Sequence, residues 1–197
     1  MEKTISRGSA RERLLAAAEE LFYQEGVQTV GIDRVIERAG VAKASLYGNF
    51  KGKDDLVRAY LESRYAARIA AIQAKVATRK TPREKLLAIF DAMADAMAKP
   101  NYRGCAFMRA SAEMGADASG LQVCRDARRW TRDLLSSLAK EAGAADPEVL
   151  GRQLHLVYDG AAASAQLDGN PPAAAAAAKA TAIRLIDLAC GKRAARK

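Results

Sequence analysis

Two short stretches, "IDRVIERA" and "AKASLYG", meet across little more than Gly40-Val41. In the first, Ile32, Val35, Ile36 and Ala39 share one helical face, and Gly40 is suited to close it. The second runs from Ala42 to Gly48 and offers only Leu46, with Val41 before it, as apolar anchors. Two short helices joined this tightly, the first ending in glycine, match the helix-turn-helix pattern, whose second helix lies in the major groove of DNA. Small residues at Ala42, Ala44 and Ser45 let a backbone approach base edges closely. The second helix is poor in apolar side chains because one of its faces is reserved for a polar partner.

The rest of the chain reads as helix. Leu14, Leu15, Ala18, Leu21 and Phe22 mark one face of a run from about Ser9 to Gln24, with Ser9 and Glu12 spaced as a capping box and Gly26 ending it. A long helix follows from about Asp54 to Thr78. Thr81 and Pro82 open the next, with Leu86, Ile89, Phe90, Met93 and Met97 inward. A short helix is expected over "CAFMRASAEM", and longer ones over about Leu121–Ala142, Pro147–Leu167 and Ala173–Ala189. No strand pattern, internal repeat or long linker interrupts them. Half of the 197 residues are hydrophobic and few are aromatic, which suits one or two packed helical units.

Net charge is +9, which permits nucleic-acid binding. Its distribution does not single out the opening stretch: residues 1–60 hold ten Lys/Arg against nine Asp/Glu, and residues 61–130 thirteen against seven. Pattern, not charge, carries the argument. No apolar run is long enough for a membrane span, and "MEKTISRGSARERLL" has no signal-peptide core, so a cytoplasmic protein without membrane contact is expected. Cys105, Cys124 and Cys190 have no metal-like spacing and His155 is the sole histidine. Two readings of the cysteines stand: buried reduced thiols, or a sensor at Cys105 beside Arg103. No metal, cofactor or catalytic residue is expected, since no nucleophile–base pair or phosphate loop is present.

Leu21-Phe22, Gly26, Ile36, Ala39-Gly40-Val41, Leu46-Tyr47, Phe50, Lys53 and Asp54-Asp55-Leu56 together resemble the TetR family of one-component bacterial transcriptional repressors. The resemblance implies an all-α fold: a three-helix DNA-binding domain over 8–64, with its motif at about 31–50, a ligand-binding and dimerisation domain over 65–190, and a basic tail at 191–197. It puts Lys43 where base edges are reached, and its ammonium suits guanine acceptors. Ala42 lies in the recognition helix. Ala44 falls at the groove floor, within reach of a thymine methyl. Ser45 and Tyr47 fall on phosphate-holding positions, although a local backbone bond is an equal reading for Ser45. Lys53 falls at the next helix's N-terminus, where dipole and charge favour phosphate.

Two departures from the family pattern stand out. Gly31 replaces the usual Ser or Thr cap of the second helix. Where an aromatic and a histidine or tyrosine often precede the Phe, this chain has Gly48-Asn49, which removes an aromatic packing or phosphate contact from the end of the recognition helix. Asp33 has two readings, a charge near the second helix's N-terminus or an acceptor for a cytosine amino group.

From Tyr65 onward the resemblance implies a small-molecule effector and a homodimer. Leu150, Leu154, Val157, Ala161 and Ser164 share one face of the penultimate long helix, and the last helix is apolar on two sides, which suits a twofold four-helix interface. Phe90, Met93, Met97, Phe107, Met108, Trp130, Leu134 and Tyr158 are candidates for an apolar pocket or for ordinary core. Arg109, Arg128 and His155 are candidates to meet an acidic group on a ligand, with ordinary surface arginine as the default reading. The expected function is a ligand-responsive repressor on a palindromic operator, released by an apolar or amphipathic effector. A helical enzyme and a DNA-binding protein without a small-molecule effector are the alternatives.

Overall fold

The computed structural model describes residues 8–191. Of the basic tail expected at 191–197, all but Gly191 lies outside the described residues. The helices are α1 (Ala10–Glu25), α2 (Ile32–Ala39), α3 (Lys43–Asn49), α4 (Lys53–Ala77), α5 (Pro82–Met97), α6 (Ala106–Glu113), α7 (Gly120–Glu141), α8 (Pro147–Leu167) and α9 (Pro171–Cys190). The described residues contain no strand. The expected helix ends hold to within two residues. The last helix starts two residues before Ala173, because the Asn170 side chain accepts from the Ala173 N–H at 3.2 Å and Pro171 takes the first helical position.

Two compact units form. One gathers the chain up to Ala66 together with Cys105–Ala127, and the other gathers Ala67–Gly104 and the chain from Arg128 onward. Helices α4 and α7 each run unbroken across a boundary between them.

In the first unit, Leu14, Leu21 and Phe22 from α1, Val35 from α2, Leu46 from α3 and Leu56 and Tyr60 from α4 make one buried cluster. Phe107, Ala110, Cys124 and Ala127 belong to the same cluster. The Ser9–Glu12 capping box starts α1 as expected. Arg38 holds α2 to α1 through Glu20 at 2.7 Å, and Arg34 does so through both carboxylate oxygens of Glu25. Gly40 takes the left-handed conformation (φ 61°, ψ 44°), and the Val41 N–H reaches back to the Ile36 carbonyl at 3.3 Å. Arg13 of α1 donates to the Gly40 carbonyl at 3.0 Å, so a third helix caps the α2–α3 joint.

In the second unit α5, α8 and α9 pack on one another, burying Leu86, Ile89, Phe90, Leu150, Leu154, Ala182 and Ile186. The later part of α7 contributes Leu135, Leu138 and Ala139. It approaches α8 so closely at Gly151 that a Cβ there would sit 2.2 Å from Ser136 Oγ and 2.9 Å from the Ser136 backbone nitrogen. Gly151→Ala should therefore overpack this crossing and cost about 1–3 kcal/mol. Urea denaturation reads that loss, and an unchanged midpoint would contradict the close approach.

His155 is buried on α8, with Asp159 at 3.8 Å. Burial pushes its imidazole below the ordinary value, Asp159 pulls it back up, and Arg128, Arg132 and Arg68 push it down. The folded chain thus resists a proton that the unfolded chain accepts below about pH 6.5, so this residue removes stability as pH falls through that value. His155→Gln should flatten the loss of unfolding free energy between pH 7 and pH 5. Equal slopes for wild type and variant would contradict it.

Candidate nucleic-acid interface

Helix α3 buries Leu46 completely and, of its seven residues, no other side chain. Ala44, Tyr47, Gly48 and Asn49 are exposed, Tyr47 at 56% despite its ring, and Ser45 is half-buried. Ala42, in extended backbone just before the helix, and Gly31, just before α2, are exposed too. An added Cβ at Gly31 would meet nothing within 4 Å, so bulk does not require glycine there.

Lys43 and Asp33 face each other across the α2–α3 joint, Nζ to Oδ1 2.9 Å, both exposed. The hydrogen bond to Asp33, with the attraction of its charge, raises the Lys43 ammonium above the usual lysine value. The two readings of Asp33 from sequence concerned DNA or its own helix; its partner in the structure is Lys43.

Asn49 donates from its side-chain amide to the Ser45 carbonyl at 2.7 Å, one turn back on α3. Phe50 follows as a buried stop, and Arg11 stacks over its ring at 5.3 Å. Lys53, half-buried at the start of α4, donates to the Gln28 carbonyl at 3.2 Å.

Sequence reasoning missed what holds Gln28. Its backbone N–H donates to Glu113 at 2.9 Å, and its side-chain amide donates to the Glu113 carbonyl at 2.8 Å. Arg109 donates to the Tyr23 carbonyl at 2.5 Å, and Arg64 stacks on the Tyr23 ring at 4.0 Å. Gly26 (φ +101°) passes so near that a Cβ would lie 2.7 Å from the Glu113 carboxylate. The α1–α2 turn is thus braced by α6. No local spacing signals this, since 85 residues separate Gln28 from Glu113.

The proposed pocket residues fall in both units. Phe107 lies in the buried cluster of the first unit, and Met108 is 41% exposed. In the second unit Phe90, Met93, Met97 and Tyr158 are buried, while Trp130 and Leu134 are half-buried. Phe90 and Tyr158 meet edge to face with centroids 6.2 Å apart. Arg128 pairs with Asp159. A separate open hollow, lined by Asp133, Ser136, Lys140 and Glu148 among others, includes none of these apolar candidates. Among the described residues no cluster of His, Cys, Asp and Glu could hold a metal, and no helix is long and apolar enough to cross a membrane.

A family profile described as "Bacterial regulatory proteins, tetR family" matches residues 14–60. The transcriptional regulator AcuR of Cereibacter sphaeroides is 30% identical over 175 residues, covering 82% of this chain and 78% of that one. The HTH-type transcriptional activator FasR of Mycolicibacterium smegmatis is 32% identical over 91 residues, and the match spans only 42% of its length and 46% of this chain. Among solved structures, the TetR-family regulator SCO4454 of Streptomyces coelicolor superposes with a TM-score of 0.88 at 31% identity, covering 92% of this chain and 96% of that one. Helix count, the buried anchor of α3 and these likenesses agree: the chain belongs to the TetR family, and it is a transcriptional regulator with an N-terminal helix-turn-helix and a helical C-terminal domain.

Proposed function

We propose that the protein is a cytoplasmic, homodimeric repressor that binds a palindromic operator and is released by a small apolar or amphipathic effector. The observation that carries the DNA reading is α3 itself. It is held by one buried leucine and turns Lys43, Ala44 and an exposed tyrosine outward. Lys43 meets base edges, Tyr47 and Ser45 meet phosphates, and Ala42, Ala44, Gly31 and Asn49 border the contact. Lys53 adds a phosphate contact at the N-terminus of α4.

The dimer reading is supported by large apolar side chains left in the open on α8 and α9. Leu156 is 64% exposed and Leu188 84%, and burying such groups drives association. Two copies of these helices place two recognition helices on successive major grooves. The effector reading is supported by the apolar content of the second unit, where Phe90, Met93, Met97, Trp130, Leu134 and Tyr158 are the candidate lining. Release is a population shift. One continuous helix, α4, carries Lys53 at its start and ends in the second unit, so a ligand that favours another setting of its far end disfavours the DNA-bound one. By linkage the operator lowers effector affinity by the same factor, typically about 5- to 150-fold.

DNA selected by the purified protein from a random duplex pool provides the test. Lys43→Ala should weaken binding to that DNA by about 1–3 kcal/mol and relax preference at one base pair per half-site. Tyr47→Phe should weaken binding evenly across sequences. Wild-type binding by both variants would refute the assignment of α3. Removing the chain from Ala173 onward should abolish the dimer, and a folded dimer in sedimentation without α9 would refute the interface.

A further inference from the structure

Three of the charged side chains of α2 divide by direction. Arg34 and Arg38 turn back to Glu25 and Glu20 on α1, whereas Asp33 turns forward to Lys43. Both members of the forward pair are well exposed, with 77% of the Asp33 side chain and 61% of the Lys43 side chain open to solvent. An ion pair that exposed adds next to nothing to folding. On a face that approaches phosphates, a carboxylate also opposes binding unless the groove supplies it with a donor. The donors in the major groove are the amino groups of cytosine N4 and adenine N6.

The geometry points to Asp33 and Lys43 acting as one composite reader of a single base pair, the ammonium on its keto oxygen and the carboxylate on its amino group. This deepens the proposed function and rests on it. Within a base pair the keto oxygen and the amino nitrogen are themselves hydrogen-bonded at about 2.9 Å. Lys43 Nζ and Asp33 Oδ1 stand 2.9 Å apart, so donor and acceptor can lie over acceptor and donor in register. The joint that sets the pair is built from the left-handed Gly40 and the Arg13 cap on its carbonyl.

Base chemistry then ranks the four pairs, naming first the base that faces Lys43. G·C is best, because guanine N7 beside O6 offers the ammonium a second acceptor. T·A keeps the keto–amino order, but the thymine methyl crowds the ammonium and adenine N7 faces the carboxylate. A·T and C·G reverse the order and set acceptor against acceptor and donor against donor.

The experiment selects motifs from a random duplex pool with the full-length wild type, Asp33→Asn and Lys43→Met, then measures affinity for the four base pairs at the affected position. Thermal melting confirms that the variants fold. Wild type should rank G·C, then T·A, then the reversed pairs, with reversal costing roughly 5- to 150-fold. An asparagine amide both donates and accepts, so Asp33→Asn should narrow that ranking to the part Lys43 alone supports while binding random DNA more tightly, since one negative charge is gone. Lys43→Met should disturb the same base pair. Three results would overturn the composite reader: an unchanged ranking in Asp33→Asn, effects of the two substitutions at different base pairs, or a wild-type preference that ignores keto–amino order. Failure of the wild type to select any motif would refute the proposed function itself, and this inference with it.

Discussion

The packing of Leu46 is the constraint on which the exposed face of α3 depends. It is fully buried among α1, α2 and α4 residues, and a leucine buried this way is worth about 1.5–3 kcal/mol. Its effect on orientation matters more than its energy. Successive residues of a helix turn by about 100°, so seating Leu46 inward sends Ala44 nearly opposite and puts Lys43 and Tyr47 on the flank between. A helix of seven residues has no other buried side chain with which to resist rotation. The Gly40 turn, the Arg13 cap and the buried Phe50 stop hold its two ends while Leu46 holds its middle.

Much of this was legible in the sequence because the signals are local. The Ser9 capping box, the Thr81 cap, the Gly40 stop and the isolated Leu46 are local signals, and each appears where expected; the Glu84 half of the Thr81 box is an addition from the structure. Cross-chain ties are of another kind. Arg13 to Gly40, Arg109 to Tyr23 and Glu113 to Gln28 join residues that no periodicity relates. Asp33 and Lys43 each stand out in the sequence, but a pairing ten residues apart across a turn needs the turn's geometry to reveal it.

The apolar residues of the C-terminal part show a second limit. From sequence alone Phe107 groups with Phe90 and Met93, because large apolar side chains at helical spacing look alike. The structure sorts them into different cores, Phe107 with Leu14 and Tyr60 and Phe90 with Tyr158. Residue type says that a side chain is buried, and only topology says with what. The same topology brings α6 into the unit that carries α3, where Glu113 and Lys53 hold opposite ends of the Gln28 peptide unit's neighbourhood, N–H and C=O. The segments on which DNA contact is proposed are therefore braced from both near and distant sequence.

The central claim is that α3 enters a major groove, once per subunit. Methylation interference tests it directly, because guanine N7 lies in the major groove and adenine N3 in the minor. On duplex DNA selected by the wild-type protein, the account predicts that N7 methylation blocks binding at two clusters of guanines about one helical turn, ~34 Å, or a multiple of it apart, related by a twofold axis. Interference confined to adenine N3, or a single cluster without a symmetry mate, would contradict it.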